Sequence, residues 1–299
     1  MRITVTGANG LVGSRLCRLL VVQGHTVTAM ARGDCRIRGD FQYLSCDLAD
    51  SEAAGRAIAA ARPEVVVHTA SMTEVDACER NPDAAWAANT LAAAYVAQHA
   101  RAGGAHLIHV STDYVFDGQE GPYDEDARPN PSGVYARTKW LGEEAVRLLA
   151  GNWAIARTAV VYGWPPAARA NFGAWLVGAM SKGEKVKLFA DQQVSPSFAD
   201  NVAEMLAELA ERRLSGIWNI CGADVVSRVE FGHALCDVFG FDRALVVPSS
   251  MKEVALASPR PARSGLSTAK AAAALTAKPL DLAASLERFH AAWQRRDRA

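Results

Sequence analysis

The sequence lacks the features that would direct a protein to nucleic acid or to a membrane. Lysine and arginine together number 32, and so do aspartate and glutamate, which makes the formal net charge zero. No excess of positive charge therefore predicts a nucleic acid or an anionic membrane surface as a partner. No segment approaches about 18 uninterrupted apolar residues, the length that would predict a membrane span. These absences leave a small molecule as the expected partner.

Cysteine is scarce and scattered. The six cysteines of this 299-residue chain show no Cys-x-x-Cys spacing, so they are interpreted as reduced packing residues of a cytoplasmic protein. No metal site is expected, because His106 and His109 lie three apart in a strand-like run and would point to opposite faces. The chain enters a strand-like run at residues 2–6 in place of a charged leader and an apolar signal core, which also favours a cytoplasmic location.

A glycine pattern follows the first strand-like run. Gly7, Gly10 and Gly13 stand between that run and an amphipathic helical stretch, and a second strand comes after the helix. This order is the context of a dinucleotide fingerprint, in which the glycines permit a sharp turn and a close approach of the backbone to a pyrophosphate. The same turn holds the other expected cofactor-binding residues, Asn9, Leu11 and Val12. The alternative is a tight turn without a ligand.

The end of the second strand indicates which dinucleotide is bound. Arg32 follows that strand directly, and a guanidinium suits the 2′-phosphate of NADP. Asp34, which would suit the ribose of NAD, comes two residues later. NADPH is therefore preferred over NADH, although Arg32 on a solvated loop remains the alternative. After the third strand, Asp47 and Leu48 are candidates to contact adenine, and Asp47 would equally suit a cap of the next helix.

Strands and helices alternate along the first 164 residues. This pattern predicts an α/β fold with a Rossmann-type, doubly wound parallel sheet, which binds ligands at the carboxyl ends of its strands. A smaller substrate-binding domain is expected over most of residues 165–299, with residues 199–222 returning to the sheet. A long helix is expected from Pro82 to about Gly103, and a strand is expected to run on through residues 160–163. Pro165 and Pro166 are expected to begin an excursion from the sheet.

Tyr135 and Lys139 are the strongest catalytic candidates. They lie four apart at the start of an apparent helix and therefore share one face. A nearby ammonium is expected to lower the pKa of the phenol toward the working range, so that the pair can pass a proton to or from an alcohol or carbonyl oxygen. Thr112, at the end of the fifth predicted strand, would hold that oxygen. Taken singly, each of these features is common in solvated helices and turns.

In this order, the glycine motif, Thr112, Tyr135 and Lys139 resemble the extended short-chain dehydrogenase/reductases. The resemblance implies that Tyr135 donates a proton, that Lys139 lowers its pKa and holds the nicotinamide ribose, and that Thr112 orients the substrate carbonyl. It further implies that Ala70 and Ser71 line the cofactor. Asn89 is implied as a supporting contact.

Within that group, the chain is similar to the dTDP-4-dehydrorhamnose reductase branch. The shared pieces are residues 111–118, Pro122 to Glu125, Arg157-Thr158 and the Arg260-Pro261-x-x-Ser264-x-Leu266 stretch. The resemblance implies a reductase of a keto-sugar, with a nucleotide-linked 4-keto-6-deoxyhexose as the expected substrate. The implied substrate-binding residues are Thr112, Asp113, Val160, Asn171 and Arg260.

The chain departs from the reductase branch at one position, and two alternatives to a reductase stay open. The reductase branch carries a substrate-stacking tryptophan where this chain has Val160, which leaves the particular sugar undetermined. The layout is also similar to the regulatory β subunit of methionine adenosyltransferase, a non-catalytic NADP-binding protein. An epimerase or dehydratase is the other alternative, but a dehydratase usually has an Asp-Glu pair after the threonine and this chain has Asp113-Tyr114. For the assembly of the protein, a homodimer is the expectation, and the sequence does not give the number of subunits.

Overall fold

The centre of the molecule is a seven-stranded parallel sheet. The computed structural model describes residues 1–164 and 171–295. Seven of the described strands form this sheet, and the other six form three two-stranded sheets. In chain order, all the strands are β1 (Arg2–Thr6), β2 (Thr26–Ala31), β3 (Gln42–Ser45), β4 (Val65–His68), β5 (His106–Thr112), β6 (Asn152–Thr158), β7 (Val161–Tyr162), β8 (Val186–Phe189), β9 (Gln193–Val194), β10 (Ser197–Phe198), β11 (Gly216–Asn219), β12 (Val226–Ser227) and β13 (Val246–Ser249). The predicted Rossmann-type sheet is confirmed.

The order of strands creates a crevice for a ligand. Across the central sheet the order is β3-β2-β1-β4-β5-β6-β11, and all neighbours pair in parallel. The chain moves outward from β1 to β3 and then returns to the other side of β1 as β4. Ligands of such sheets bind outside the carboxyl ends of the strands at this switch point. The glycine turn and Thr112 both lie at that edge.

Helices cover both faces of the sheet. They are α1 (Leu11–Val22), α2 (Ser51–Ala61), α3 (Val75–Arg80), α4 (Pro82–Trp86), α5 (Ala92–Ala102), α6 (Gly133–Leu149), α7 (Phe172–Met180), α8 (Ala199–Glu211), α9 (Arg228–Phe239), α10 (Ala269–Ala274) and α11 (Leu282–Gln294). One buried apolar cluster joins α1 and α8 to one face, and another joins α2, α5 and α6 to the opposite face. Within the described part of the chain, no helix is both long and apolar enough to cross a membrane.

The long helix expected from Pro82 to about Gly103 is interrupted. A π-helical turn at Ala87–Leu91 separates α4 from α5. It carries Asn89, whose Nδ2 donates to the Met72 carbonyl at 3.1 Å and to the Thr138 hydroxyl at 3.1 Å. A turn of this kind widens the helix locally and is frequent at functional sites. The expectation of one regular helix was wrong, because these bonds to distant residues leave no trace in a local alanine-rich pattern.

Beyond β6 the chain leaves the central sheet. The strand expected through residues 160–163 is broken, because Val160 adopts a left-handed φ of 42° and only β7 follows. Aromatic rings then form a second core, in which Tyr162 contacts Phe231 and Phe289 at ring distances of 5.1 and 5.4 Å. Residues 199–222 contribute α8 and β11, and β11 pairs with β6 at the edge of the central sheet. The division of the chain near residue 164 stays a prediction, and Pro165 and Pro166 lie outside the described residues.

Candidate active site

Tyr135 lies in the first turn of α6 and is buried, with a relative exposure of 8%. The helix begins at Gly133, whose φ of +81° and whose approach to Ser258 leave no room for a side chain. The Tyr135 ring meets the edge of the Tyr114 ring at 5.7 Å and also packs near Cys78. The phenol is therefore held in a largely apolar pocket at the carboxyl end of the sheet.

Lys139 lies one turn further along α6 and is 2% exposed. Its Nζ donates to the Val110 carbonyl at 2.8 Å. Burial lowers the pKa of the ammonium to about 8, an effect that the negative charge of Glu143 partly opposes. At neutral pH the side chain is still mostly protonated.

The pKa of Tyr135 shifts in the direction opposite to the one expected. We expected the neighbouring ammonium to lower it, but burial raises it, and the hydrogen bond with Thr112 only partly opposes that rise. Desolvation disfavours the charged phenolate in this pocket, and Lys139 is directed at a backbone carbonyl. Tyr135 is therefore protonated at neutral pH, which is the form that a proton donor must have, although the raised pKa makes it a weaker acid than a phenol in water.

The surroundings of Lys139 are fixed by buried side chains on the sheet and on α6. Arg157 forms a fully buried ion pair with Glu143, with Nε and Nη2 at 3.0 and 2.7 Å from the two carboxylate oxygens. His68 and His109 stack on each other at 5.3 Å between β4 and β5. Burial, reinforced by the charge of Lys139, lowers the pKa of His68 to about 3 and that of His109 well below its ordinary value. Both histidines are therefore neutral, and Glu143 is the negative group that supports the lysine.

Thr112 ends β5, and Asp113 begins the 3₁₀ turn that follows it, close to Tyr135. The Thr112 hydroxyl donates to Asp113 Oδ1 at 3.0 Å and accepts from the Tyr114 N–H at 3.2 Å. The other carboxylate oxygen of Asp113 accepts from the Ser264 hydroxyl at 2.5 Å. Asp113 is 2% exposed, so the carboxylate expected to bind substrate is engaged on both of its oxygens by the protein itself.

The glycine turn forms a cradle at the start of α1. A Cβ at Gly7 would lie 2.6 Å from the Ala70 nitrogen, and one at Gly13 would lie 2.5 Å from the Gly7 carbonyl. Gly10 caps α1 without a side-chain hydrogen bond, which leaves the first N–H groups of the helix, from Leu11 onward, for another acceptor. Backbone N–H groups that no side chain covers, at the N-terminus of a helix, form a site that suits a phosphate.

Asn9 holds the loop that follows β2. Its Nδ2 donates to the Asp34 carbonyl at 3.0 Å and to the Tyr43 hydroxyl at 3.2 Å, and its Oδ1 accepts from the Arg36 N–H at 2.9 Å. Arg32 is exposed on the same loop, next to Gly33 with a φ of +70°. The amide of Asn9 therefore shapes the loop that carries Arg32.

Asp47 and Leu48 follow β3 after one intervening residue, Cys46. The Asp47 carboxylate accepts from the Ala49 N–H at 3.0 Å, and Leu48 is buried. The cap of α2 is Asp50, which accepts from the Glu52 and Ala53 N–H groups. Asp47 therefore does not cap the helix, which leaves adenine as its expected partner.

Asn89 joins the loop after β4 to α6, the helix that carries Tyr135 and Lys139. Its Oδ1 accepts from the Ser71 hydroxyl at 2.9 Å and from the Met72 N–H at 2.8 Å, while its Nδ2 donates to Thr138 on α6. Ala70 is half-buried beside Gly7. The residues expected to line the cofactor are thus tied to the helix that carries Tyr135.

Val160 and Asn171, two further substrate candidates, lie on either side of β7. The strained backbone of Val160 is held by Ser197, whose N–H donates to the Val160 carbonyl at 3.2 Å. Asn171 caps α7, with its Oδ1 accepting from the Ala174 N–H at 3.0 Å and from the Gly163 N–H at 3.2 Å. The side chain of Asn171 therefore has a structural use that the sequence did not indicate.

Two arginines, Arg228 and Arg260, supply positive charge near Tyr114. Arg260 pairs with Asp76 at 2.8 Å. Arg228, the first residue of α9, donates from Nε to Gln192 Oε1 at 3.0 Å and lies over the Phe172 ring at 4.5 Å. Sequence reasoning missed Arg228 and Gln192. The Ser227–Glu230 capping box marks the start of α9, but no local signal places that helix beside Asp113.

This combination of a parallel sheet, a glycine cradle at its switch point and a Thr-Tyr-Lys set defines an extended short-chain dehydrogenase/reductase. The family model described as "RmlD substrate binding domain" matches residues 1–295. The chain belongs to this family, which confirms the resemblance drawn from the motifs.

Relatives and solved structures agree with that membership. The chain is 36% identical, over 88% of its length and 88% of the relative, to the "Probable low-salt glycan biosynthesis reductase Agl14" of Haloferax volcanii. It is 30% identical, over 87% of its length and 80% of the relative, to methionine adenosyltransferase 2 subunit beta of Danio rerio. The structure of dTDP-4-dehydrorhamnose reductase from Bacillus anthracis in complex with NADP superposes with a TM-score of 0.84, at 26% identity, over 97% of this chain and 98% of that one.

Proposed function

We propose that this protein is an NADPH-dependent reductase of a keto-sugar, with a nucleotide-linked 4-keto-6-deoxyhexose as its substrate. The observation that carries the proposal is the buried, neutral Tyr135 hydrogen-bonded to Thr112 at the same sheet edge as the glycine cradle. Relatives named as reductases support it. In the reverse direction the same chemistry oxidises a CH–OH group with NADP.

The residues present fit a dinucleotide. The backbone of Gly7, Gly10 and Gly13 and the first N–H groups of α1 would hold the pyrophosphate, and the tight turn that presents them requires glycine, since a Cβ at Gly7 or Gly13 would collide with neighbouring backbone. Arg32 would meet the 2′-phosphate, and Asp47 and Leu48 would flank the adenine. Ala70 and Ser71 would line the nicotinamide half. When bound, NADPH supplies the hydride for the reduction.

The chain's own side chains supply the proton and orient the substrate. Tyr135 delivers its proton to the oxygen that becomes the alcohol, while Thr112 fixes that oxygen beside it. Lys139 stabilises the resulting phenolate by its charge and, with its stem buried against β5, helps to position the nicotinamide ribose. No other titratable side chain is needed for this step.

The substrate class follows from charge. Arg228 and Arg260 bring two guanidinium groups to the substrate side, which suits the diphosphate of a nucleotide-linked sugar. Val160 presents a small side chain where the reductase branch has a stacking tryptophan, so a sugar other than dehydrorhamnose fits the proposal equally well. A cytoplasmic homodimer is part of the same proposal and is checked by the molar mass of the protein in solution.

The test is the oxidation of NADPH in the presence of dTDP-4-dehydro-L-rhamnose and of other nucleotide-linked keto-sugars, with NADH measured in parallel. We expect turnover that needs substrate, prefers NADPH and falls by about 10²- to 10⁴-fold in Tyr135→Phe, because only the proton donor is removed. Binding of NADPH to that variant, measured by calorimetry, should remain close to that of the wild type. Undiminished turnover in Tyr135→Phe would contradict the assigned acid.

A non-catalytic NADP-binding subunit is the second candidate, favoured by the similarity to methionine adenosyltransferase 2 subunit beta. The two candidates differ in one measurable respect. Tight NADPH binding without turnover of any keto-sugar would favour the subunit, whereas turnover dependent on Tyr135 excludes that role as the sole function.

A further inference from the structure

Asp113 occupies a position that neither the cofactor nor the substrate explains. It is 2% exposed and lies between the hydroxyl of Thr112, which donates to its Oδ1, and the hydroxyl of Ser264, which donates to its Oδ2. Ser264 is fully buried and is separated from Asp113 by 151 residues along the chain. The carboxyl group thus connects the catalytic threonine to a distant part of the molecule.

Ser264 belongs to a fixed segment, residues 258–266, which we call the C-terminal segment. Its backbone is anchored at three points: the Ser264 N–H donates to the Gln193 carbonyl at 3.0 Å, the Arg263 N–H to the Gly118 carbonyl at 3.0 Å, and the Leu266 N–H to the Ser195 hydroxyl at 3.1 Å. A side chain on so well-anchored a backbone has little freedom. The Ser264 hydroxyl is therefore a fixed donor to Asp113.

We propose that Asp113 is a positioning residue for Thr112, accepting its hydroxyl proton when ionised and donating to its oxygen when neutral, and that the C-terminal segment sets this exchange through Ser264. The proposal deepens the function proposed above and rests on it for its effect on catalysis. In this scheme, Asp113 and Ser264 do not touch the reacting atoms and act only through Thr112.

The reason lies in the single proton of the threonine hydroxyl. When Asp113 is ionised, Thr112 donates that proton to the carboxylate and can only accept from Tyr135 or from the substrate. When Asp113 is neutral, its own O–H serves the Thr112 oxygen, and the threonine proton is free to be donated toward the substrate oxygen or toward the forming phenolate. The negative charge of ionised Asp113 also raises the pKa of Tyr135. The neutral carboxyl is thus the form that favours reduction.

The groups around Asp113 set the pH at which its carboxyl group changes between the neutral and the ionised form. Burial raises its pKa to about 6, and the hydrogen bonds from Ser264 and Thr112 and the charge of Arg228 hold it from rising further. The other titratable groups that face it are Tyr114, Tyr135 and Cys221, and Arg260 acts on Tyr114 and Arg228 beside it. Removing the Ser264 hydroxyl should therefore move the ionisation of Asp113 to higher pH.

The first measurement is independent of any substrate. The infrared difference spectrum of wild type minus Asp113→Asn, taken across a pH titration, reports the carboxyl stretch of protonated Asp113. We expect this band to disappear near pH 6 in the wild type and at higher pH in Ser264→Ala. Ser195→Ala is the matched control, because Ser195 is also buried and bonded to the C-terminal segment but its hydroxyl bonds with Leu266 and not with Asp113. An unshifted band in Ser264→Ala, or an equal shift in Ser195→Ala, would overturn the link.

The second measurement is kcat for reduction as a function of pH. We expect kcat to fall as the pH rises through the pKa of Asp113, and this fall to move to higher pH in Ser264→Ala. Asp113→Asn keeps a donor to Thr112 and should be active with that pH dependence removed, whereas Asp113→Ala should lose about 10- to 100-fold in kcat. Equal, pH-independent losses in the asparagine and alanine variants would refute the positioning role. If the wild type reduces no keto-sugar, the proposed function fails, while the infrared titration still decides whether Ser264 controls Asp113.

Discussion

Lys139 and Tyr135 show how burial sets the protonation state of single residues in the candidate site. Removal from water disfavours the charged form of each, so it lowers the pKa of the amine and raises that of the phenol. The two shifts have opposite signs but one cause. Together they leave an acid that keeps its proton beside a cation that is close to losing its own.

A consequence of this burial is that Lys139 costs stability. We expect Lys139→Met to raise the free energy of unfolding at pH 7 by about 1–3 kcal/mol, since each pKa unit corresponds to about 1.4 kcal/mol. Between about pH 8 and pH 10.5 the folded chain holds fewer protons on this amine than the unfolded chain, so the wild type gains stability as the pH rises. The advantage of the variant should therefore shrink across that window.

Urea unfolding at a series of pH values measures this effect. The control is Lys187→Met, which replaces an exposed lysine on β8 and should show no comparable change with pH. A Lys139→Met protein that is less stable than the wild type at pH 7, or whose difference is constant up to pH 10.5, would contradict the assigned cause.

The start of α1 illustrates the scale of the structural element. This helix begins against the turn after β1, and the approach is close enough that a Cβ at Gly13 would lie 2.5 Å from the Gly7 carbonyl. Backbone cannot yield as a flexible side chain does. The position of the whole helix, and with it the proposed phosphate cradle, therefore depends on the absence of one methyl group.

We accordingly expect Gly13→Ala to lower stability by about 1–3 kcal/mol through overpacking and to weaken NADPH binding. Gly178→Ala on α7 is the matched control, because a Cβ there meets nothing within 4 Å and alanine favours a helix by about 1 kcal/mol. The control should be slightly stabilised and bind NADPH normally. Thermal unfolding and calorimetric titration test both variants, and equal behaviour of the two glycines would exclude the steric explanation.

At the scale of the whole molecule, the C-terminal segment joins parts of the chain that are far apart in sequence. Arg260 pairs with Asp76 on α3, next to the loop after β4, and the side chains are 13% and 33% exposed. Leu266, in the same segment, forms an isolated parallel β-bridge with Tyr123. The C-terminal segment thus joins α3, on one side of the site, to the chain around Tyr123 on the other.

A double-mutant cycle measures one of these contacts. We expect Arg260→Gln and Asp76→Asn to show a coupling energy of about 1 kcal/mol in urea unfolding, because this pair is partly shielded from water. The control cycle uses Glu52→Gln and Arg56→Gln on α2, whose side chains are 87% and 70% exposed, and should give a smaller coupling of at most about 0.5 kcal/mol. Similar values in the two cycles would show that Arg260 and Asp76 do not join the two sides.

Much of the fold was predictable because its signals are local. The strand, glycine turn and helix of residues 2–22 follow from side-chain periodicity and from the freedom of glycine, and both belong to neighbouring residues. The unbroken β-branched run at residues 65–67 likewise indicates a buried parallel strand. The interruption of the helix at Asn89 and the break at Val160 were not predictable, because each depends on hydrogen bonds to residues elsewhere in the chain.

By itself, the sequence determined the sheet, the family and the residues that reach the carboxyl edge of the sheet, since alternation and motif spacing need no knowledge of distant contacts. Only the tertiary structure decided the state and the neighbours of those residues. It buried Tyr135 so that its pKa rises, used Asn9 and Asn171 to shape a loop and cap a helix, and brought Ser264 to Asp113. Burial and contact between distant residues arise when the chain packs, and no residue type or spacing encodes them locally.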